Sequence, residues 1–166
     1  MRDSELNTDS GNDRVDLRAS TRSGEFDPAY GMENSSLTTG DDSDQVRISA
    51  DARGNTTDTI AAYGALNSQI DTGNDNDRLE ISATAINRDG YAEAVGLDSS
   101  TASTGSGDDD VRIHAHADGL STNAWAMRDS ELNTDSGNDR VDLRASTRSG
   151  EFDPAYGMEN SVLNTG

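Results

Sequence analysis

The chain lacks cysteine and lysine, and leucine, isoleucine, valine and phenylalanine supply only 24 of its 166 residues. Without cysteine there is neither a disulfide framework nor a thiolate metal site. No apolar run approaches the roughly 20 residues that a membrane-spanning helix needs, so membrane insertion is not expected. Such a low apolar content is typical of chains that do not fold on hydrophobic burial alone.

The charge of the chain is strongly one-sided. All 13 basic residues are arginine, 32 acidic residues outnumber them, and the formal net charge is −19. This excess argues against nucleic acid as a partner, because phosphate backbones are repelled by carboxylates. The same carboxylates attract cations, so the composition favours a protein that binds positive ions.

What the chain has in place of a large apolar content is repetition. Residues 127–166 repeat residues 1–40, and only Ser36 and Thr38 differ from their counterparts, Val162 and Asn164. This period of 126 residues predicts that the chain is a segment of a longer tandem array. We expect residues 1–166 to form a single continuous solenoid in which each repeat contacts only its neighbours.

A shorter repeat of 30–33 residues divides the 126-residue period into four coils. An apolar residue follows an acidic turn in every coil, at Val15, Val46, Leu79, Val111 and Val141. Strict alternation of apolar and polar residues continues from each of these positions, which is typical of a strand with one buried face. The fold class predicted from this pattern is all-β, a parallel β-solenoid.

A second strand of each coil is predicted nine residues before these positions. There a Ser-x-apolar-x-Thr pattern recurs, with Leu6, Leu37, Ile70, Ala102 and Leu132 at its centre. Return loops are predicted at Arg53–Asp58 and at residues 87–91. Whether a coil has two strands or three stays open, because Ala29, Ala62 and Ala94 could begin a further strand.

The outward positions provide an independent argument for stacking. The residue after each apolar anchor alternates in charge from coil to coil, as Asp16, Arg47, Glu80, Arg112 and Asp142. Parallel coils stacked about 4.8 Å apart would place opposite charges side by side at every step. We therefore predict an in-register stack of coils.

The acidic turns carry a recognisable motif. The fourth turn contains Gly105, Gly107, Asp109 and Val111 in the order Gly-x-Gly-x-Asp-x-apolar. It resembles the calcium-binding nonapeptide of the RTX (repeats-in-toxin) family, Gly-Gly-x-Gly-x-Asp-x-apolar-x, and the resemblance covers about nine residues of each coil. The resemblance implies a β-roll-like fold with several Ca²⁺ ions shared between successive turns on one edge. The residues implied to bind these ions are Gly11, Asp13, Gly40, Asp42, Asp44, Gly73, Asp75, Asp77, Gly105, Gly107, Asp109, Gly137 and Asp139.

The chain departs from the family pattern at three turn positions, the first of which is threonine instead of glycine in every turn. Asp42 and Asp75 replace the fourth-position glycine, and Asp9 and Asp135 replace the second-position glycine. Aspartate tolerates the left-handed backbone better than most residues, so the turns can keep their shape. The alternative interpretation is that these are acidic β-turns without metal, since Gly, Asp, Asn and Ser favour turns in any case.

Two further sets of residues invite a functional reading. His114 and His116 occur in one coil only, where stacking would place Ser82, Arg144, Thr84 and Ser146 beside them, and we interpret them as surface residues. Aromatic or branched residues recur at a further position, and we interpret them as packing residues rather than a sugar platform. These are Tyr30, Tyr63, Val95 and Trp125.

The sequence thus predicts a non-enzymatic, calcium-stabilised structural segment of a giant secreted or cell-surface filament, sheath or adhesin. Its partners would be further copies, joined end to end or laterally, and cell-surface polysaccharide is a second candidate. The alternative function is a noncatalytic RTX-like module of a secreted polysaccharide-processing enzyme. Ice binding ranks last, because it needs a flat array of threonines and the threonine row here is single. An extracellular location follows from the calcium requirement.

Overall fold

Parallel strand pairing accounts for the regular structure of the chain. The computed structural model describes residues 1–22, 27–149 and 153–166, and within them we find strands but no helix, and so no helix long enough to cross a bilayer. The strands are β1 (Glu5–Asn7), β2 (Arg14–Arg22), β3 (Ala29–Glu33), β4 (Ser36–Thr38), β5 (Gln45–Gly54), β6 (Ile60–Leu66), β7 (Gln69–Asp71), β8 (Arg78–Asp98), β9 (Thr101–Ser103), β10 (Asp110–Arg128), β11 (Glu131–Asn133), β12 (Arg140–Arg148), β13 (Ala155–Glu159) and β14 (Val162–Asn164).

The strands form three rows that run along the solenoid. The short row has the order β1-β4-β7-β9-β11-β14, and the long row has the order β2-β5-β8-β10-β12. The third row comprises β3, β6, the C-terminal parts of β8 and β10, and β13. The first, second and fifth coils therefore have three strands, whereas in the third and fourth coils a single strand supplies both the long and the third row. A third face is present in every coil.

The predicted return loop at residues 87–91 is wrong, because these residues lie inside the continuous strand β8. The loop predicted at Arg53–Asp58 also begins too early, since β5 extends to Gly54 and β6 starts at Ile60. In β8 and β10 the chain passes from the long row to the third row as one continuous strand. The pairing of β10 with β8 shifts register once, between Gly119 and Ser121, where the chain turns the corner.

The register predicted from the apolar anchors is confirmed. Val15 pairs with Val46, and Val46 pairs with Leu79. In the short row Leu6 pairs with Leu37, and Leu37 pairs with Ile70. Equivalent side chains of successive coils therefore stack in columns, which is the arrangement that makes the solenoid periodic along its axis.

The core is divided into a wide and a narrow part. The wide part contains leucine, isoleucine, valine and methionine from all three rows, including Leu37, Ile48 and Met32. The narrow part is built almost entirely from alanines of the long and third rows, such as Ala50 and Ala62. Small side chains suffice where only two strands face each other, and this explains how so few large apolar residues cover the interior.

A glycine column in the third row fits against isoleucines of the long row. A Cβ atom at Gly64 would lie 2.4 Å from Cγ2 of Ile81 and 2.5 Å from the carbonyl oxygen of Gly96. Gly31 and Gly96 have the same relationship to the isoleucine of the following coil. In the fourth coil Ala126 takes the glycine position, and the following coil has a leucine in place of isoleucine, which lacks the methyl branch at Cβ.

Candidate cation site on the turn edge

The acidic turns repeat the same backbone conformation in every coil. Positive φ angles occur at the second and fourth turn positions whether the residue is glycine or aspartate. Asp9 and Asp135 have φ of 64° and 49°, and Asp42 and Asp75 both have φ of 80°. The expectation that aspartate adopts the left-handed conformation at these positions is confirmed.

The aspartate at the sixth turn position forms a ladder that runs from coil to coil. Each backbone N–H donates to Oδ1 of the equivalent aspartate in the next coil, at 2.8 Å from Asp13 to Asp44 and 2.8 Å from Asp44 to Asp77. The ladder continues at 2.9 Å from Asp77 to Asp109 and 3.1 Å from Asp109 to Asp139. We call these five residues the aspartate ladder.

The aspartate ladder points into the molecule. Asp44, Asp77 and Asp109 are only 1%, 3% and 2% exposed. Their direction follows from strand parity, because Asp13 stands two residues before the buried Val15 and therefore faces the same side. The alternation in the sequence contains this signal, although the turn motif by itself assigns no direction to these side chains.

The second carboxylate oxygen divides the ladder into two parts. Oδ2 of Asp13, Asp44 and Asp77 is buried and has no hydrogen-bond partner. Oδ2 of Asp109 instead accepts a hydrogen bond from Thr104 at 2.5 Å, and Oδ2 of the last ladder residue accepts one from Thr134 at 2.7 Å. The first three coils thus carry buried oxygens with unsatisfied acceptor capacity, a costly arrangement for ionised carboxylates.

Burial has a direct electrostatic consequence for this ladder. Desolvation raises the pKa of Asp77 to about 7, and the neighbouring Thr72 hydroxyl and the hydrogen bond from the N–H of Asp44 only partly offset this effect. Desolvation also raises the pKa of Asp109, although the Thr104 hydroxyl donates to that carboxylate. A proton or a cation can supply the missing positive charge at such a site.

A second set of acidic residues lies outside, on the same turns. We define the acidic edge as the exposed turn aspartates, namely Asp9, Asp41, Asp42, Asp75, Asp108 and Asp135. Amides and hydroxyls connect neighbouring turns here: Asn74 donates to Asp41 at 2.9 Å, and Ser106 donates to Asn74 at 2.8 Å. Every coil of the described chain contributes at least one carboxylate to this edge.

The donors available at the turns are carboxylate, carbonyl, amide and hydroxyl oxygens, which match the preference of calcium for hard oxygen ligands. The turn backbones also approach closely, because a Cβ atom at Gly73 would lie 1.7 Å from the carbonyl oxygen of Gly40. Within the described residues, however, no three acidic or histidine side chains already converge as a metal cage. Any bound cation would therefore depend on backbone carbonyls and water in addition to carboxylates.

The predicted site residues are brought together as columns rather than as one cluster. The glycines at the second turn position, Gly40, Gly73 and Gly105, stack beneath one another. Fourth-position residues form a neighbouring column, which comprises Gly11, Asp42, Asp75, Gly107 and Gly137. The threonine column that sequence analysis assigned to a strand lies inside, since Thr39, Thr72, Thr104 and Thr134 are all fully buried. A buried threonine row offers no flat surface to ice.

The histidines and aromatic residues occupy the predicted neighbourhoods. His114 stands in register with Ser82 and Arg144, and Nε2 of its ring lies 3.7 Å from Oδ2 of Asp142. The rings of Tyr30 and Tyr63 stack with centroids 5.4 Å apart. These contacts join adjacent coils, so both sets contribute to packing along the axis.

Comparison of the chain with protein-family models, with curated proteins and with solved structures finds no match.

Proposed function

We propose that this chain is a calcium-stabilised structural segment of a large secreted or cell-surface tandem-repeat protein. The observation that carries the proposal is the aspartate ladder, in which Asp13, Asp44 and Asp77 each bury a carboxylate oxygen without a partner. A periodic solenoid extends its length without changing its cross-section, and this suits a filament, sheath or adhesin stalk.

The charge of the turns supports a requirement for cations. Two aspartate columns, one buried and one exposed, run side by side along the same edge of the solenoid. Carboxylates in neighbouring coils about 4.8 Å apart repel one another unless positive charge is present between them. Calcium, when bound, would supply that charge and accept several oxygen ligands at once.

The first three coils are the proposed principal site. There the free Oδ2 atoms can accept a cation, whereas Asp109 and Asp139 already accept threonine hydroxyls. Calcium binding that stabilises the folded state would raise the folded fraction in calcium-rich surroundings, which is the basis for an extracellular location. The low content of large apolar residues makes such coupling effective, because hydrophobic burial alone contributes little.

The test is a calcium titration of the full chain from chelator, followed by far-ultraviolet circular dichroism, with magnesium as the control ion. A gain of β signal specific to calcium is the expected result. By calorimetry, the D77N variant should bind calcium more weakly than the natural chain. The matched control D118N, on the outer face of the long row, should leave the affinity unchanged. A β signal that is indifferent to chelator, together with no calcium binding by calorimetry, would establish bare turns and refute the proposal.

A further inference from the structure

The outer face of the long row concentrates the positive charge of the molecule. Ten of the 13 arginines project from this face, together with both histidines and only six of the 32 acidic residues. The arginines are Arg14, Arg18, Arg22, Arg47, Arg53, Arg78, Arg112, Arg140, Arg144 and Arg148. A chain with a net charge of −19 therefore has one face of the opposite sign.

Three arginines in the first column of this face form no ion pair in the described chain, although Asp110 stands in register between Arg78 and Arg140. Arg14, Arg78 and Arg140 are exposed, and among the described residues none of them has a carboxylate within 4.0 Å. Other arginines of the face are paired along their own strands, as Arg18 is with Asp16 and Arg144 with Asp142. We call Arg14, Arg78 and Arg140 the arginine column.

The arginine column lies directly beside the acidic edge, because each of its members begins the strand that leaves an acidic turn. The two strips run parallel to the solenoid axis. Each coil that contributes an arginine to the column also contributes an exposed turn aspartate, namely Asp9, Asp75 or Asp135. The surface is therefore self-complementary in charge at every second coil, namely the first, third and fifth.

We propose that this strip is the lateral docking site for a second copy of the chain, related by a two-fold axis parallel to the solenoid axis. Such a rotation brings the arginine column of each copy against the acidic edge of the other at the same level. Arg14 then faces Asp9 of the second copy, Arg78 faces its Asp75, and Arg140 faces its Asp135. The contact forms twice because the interface is isologous.

Shared periodicity favours a second copy over other anionic partners. Two parallel solenoids have the same rise per coil, so charge pairs remain in step along any number of coils, and in a longer array their effects accumulate. In the fourth coil the corresponding position is Asp110, which is already paired with Arg112 at 2.8 Å. The interface deepens the structural role proposed above, but its test does not depend on calcium-coupled folding.

Sedimentation velocity of the full chain at 0.05 M and 0.5 M salt, in calcium and in chelator, provides the test. We expect dimers at low salt and a dissociation constant raised about tenfold or more at high salt, because exposed ion pairs are screened. The R14Q/R78Q/R140Q variant should weaken dimerisation to a similar extent at low salt. Its fold should be preserved, since Gln45 occupies the same column naturally.

The matched control is N7D/Q69E/N133D, which changes the net charge equally but alters the short row. Dimers should persist in this control. A monomer under all conditions, or an equal loss in the control, would overturn the proposal.

The orientation is tested by spin labels at S10C, which the two-fold axis places at one level. Antiparallel copies would instead separate S10C from its equivalent by four coils, about 19 Å along the axis. Circular dichroism of the same samples separates loss of the interface from loss of folding.

Discussion

Asp44 donates its backbone N–H to Oδ1 of Asp77 at 2.8 Å, while Oδ2 of Asp77 is buried without a hydrogen-bond partner. One half of the Asp77 carboxylate thus links two coils, and the other half imposes an electrostatic cost. The hydrogen bond requires only an acceptor oxygen and not a negative charge. The structural role of the ladder can therefore be separated from its ionisation.

The D77N variant should be more stable than the natural chain in chelator at pH 8. The amide oxygen can still accept the N–H of Asp44, but no buried charge remains. A carboxyl whose pKa rises from 3.8 to about 7 carries an ionisation cost of about 2–4 kcal/mol. Denaturant unfolding measures this difference, and D118N is the control at a partly exposed position on the outer face of the long row. Lower stability of D77N in chelator would contradict this account of the ladder.

Stability in chelator should fall as the pH rises from about 4 to 8. The folded pKa of Asp77 lies above its unfolded value, and that of Asp109 is raised as well, so the folded state binds more protons in this window. By linkage, proton binding stabilises the fold at low pH, and this contribution is lost as the pH passes about 7. Thermal melts at pH 5 and pH 8 measure the trend. A melting temperature that increases with pH would rule it out.

The G64A variant should destabilise the solenoid by about 1–3 kcal/mol, because the added methyl meets Cγ2 of Ile81 and the carbonyl of Gly96. The double variant G64A/I81L should recover part of this loss, since alanine followed by leucine occurs naturally at the fourth coil. G157A is the matched control, because a Cβ there has no atom within 4 Å. Equal effects of G64A and G157A would show that backbone entropy, and not the clash, sets the cost.

The D42G variant should be stabilised by about 1 kcal/mol in chelator, because glycine removes both the cost of a positive φ and one exposed charge. Glycine occupies the same position at Gly107 and Gly137. The D42A variant should be destabilised, since alanine retains the strain and lacks the polar side chain that helps aspartate in this conformation. If backbone conformation governs the stability of the turn, chemical unfolding will show a higher free energy of unfolding for D42G and a lower one for D42A than for the natural chain.

The register and the turn geometry could be predicted from the sequence because both depend on local rules. The alternation of apolar and polar residues predicted that Val15, Val46 and Leu79 share one column. The turn positions at which glycine and aspartate replace one another are those with left-handed backbone conformation. The third strand was left open because alternation fails there: Gly64 and Ala65 both face the interior, which interrupts the period of two. The predicted alternation of charge has the correct register, but only Arg47 and Glu80 form a cross-strand pair within the column, at 3.4 Å.

The inward direction of the aspartate ladder was not predicted, because the turn motif places these residues on an edge without giving the direction of their side chains. Strand parity shared by Asp44 and Val46 indicates that direction. The threonines that bond Asp109 and Asp139 lie five residues earlier in sequence, across the turn. No single-strand rule connects residues that a turn brings face to face.

Alanine replaces glycine at one of the four contacts between the glycine column and the long row. This difference affects how coils of an array can pair during folding. Coils of similar sequence can pair in the wrong order, and repeat proteins are prone to such misassembly. A chain that omitted a coil would stack Ala126 against an isoleucine, or a glycine against a leucine, and would leave either a clash or a void. The contact between the columns at Ala126 and Leu143 thus differs from the other three, which favours pairing of each coil with its own successor.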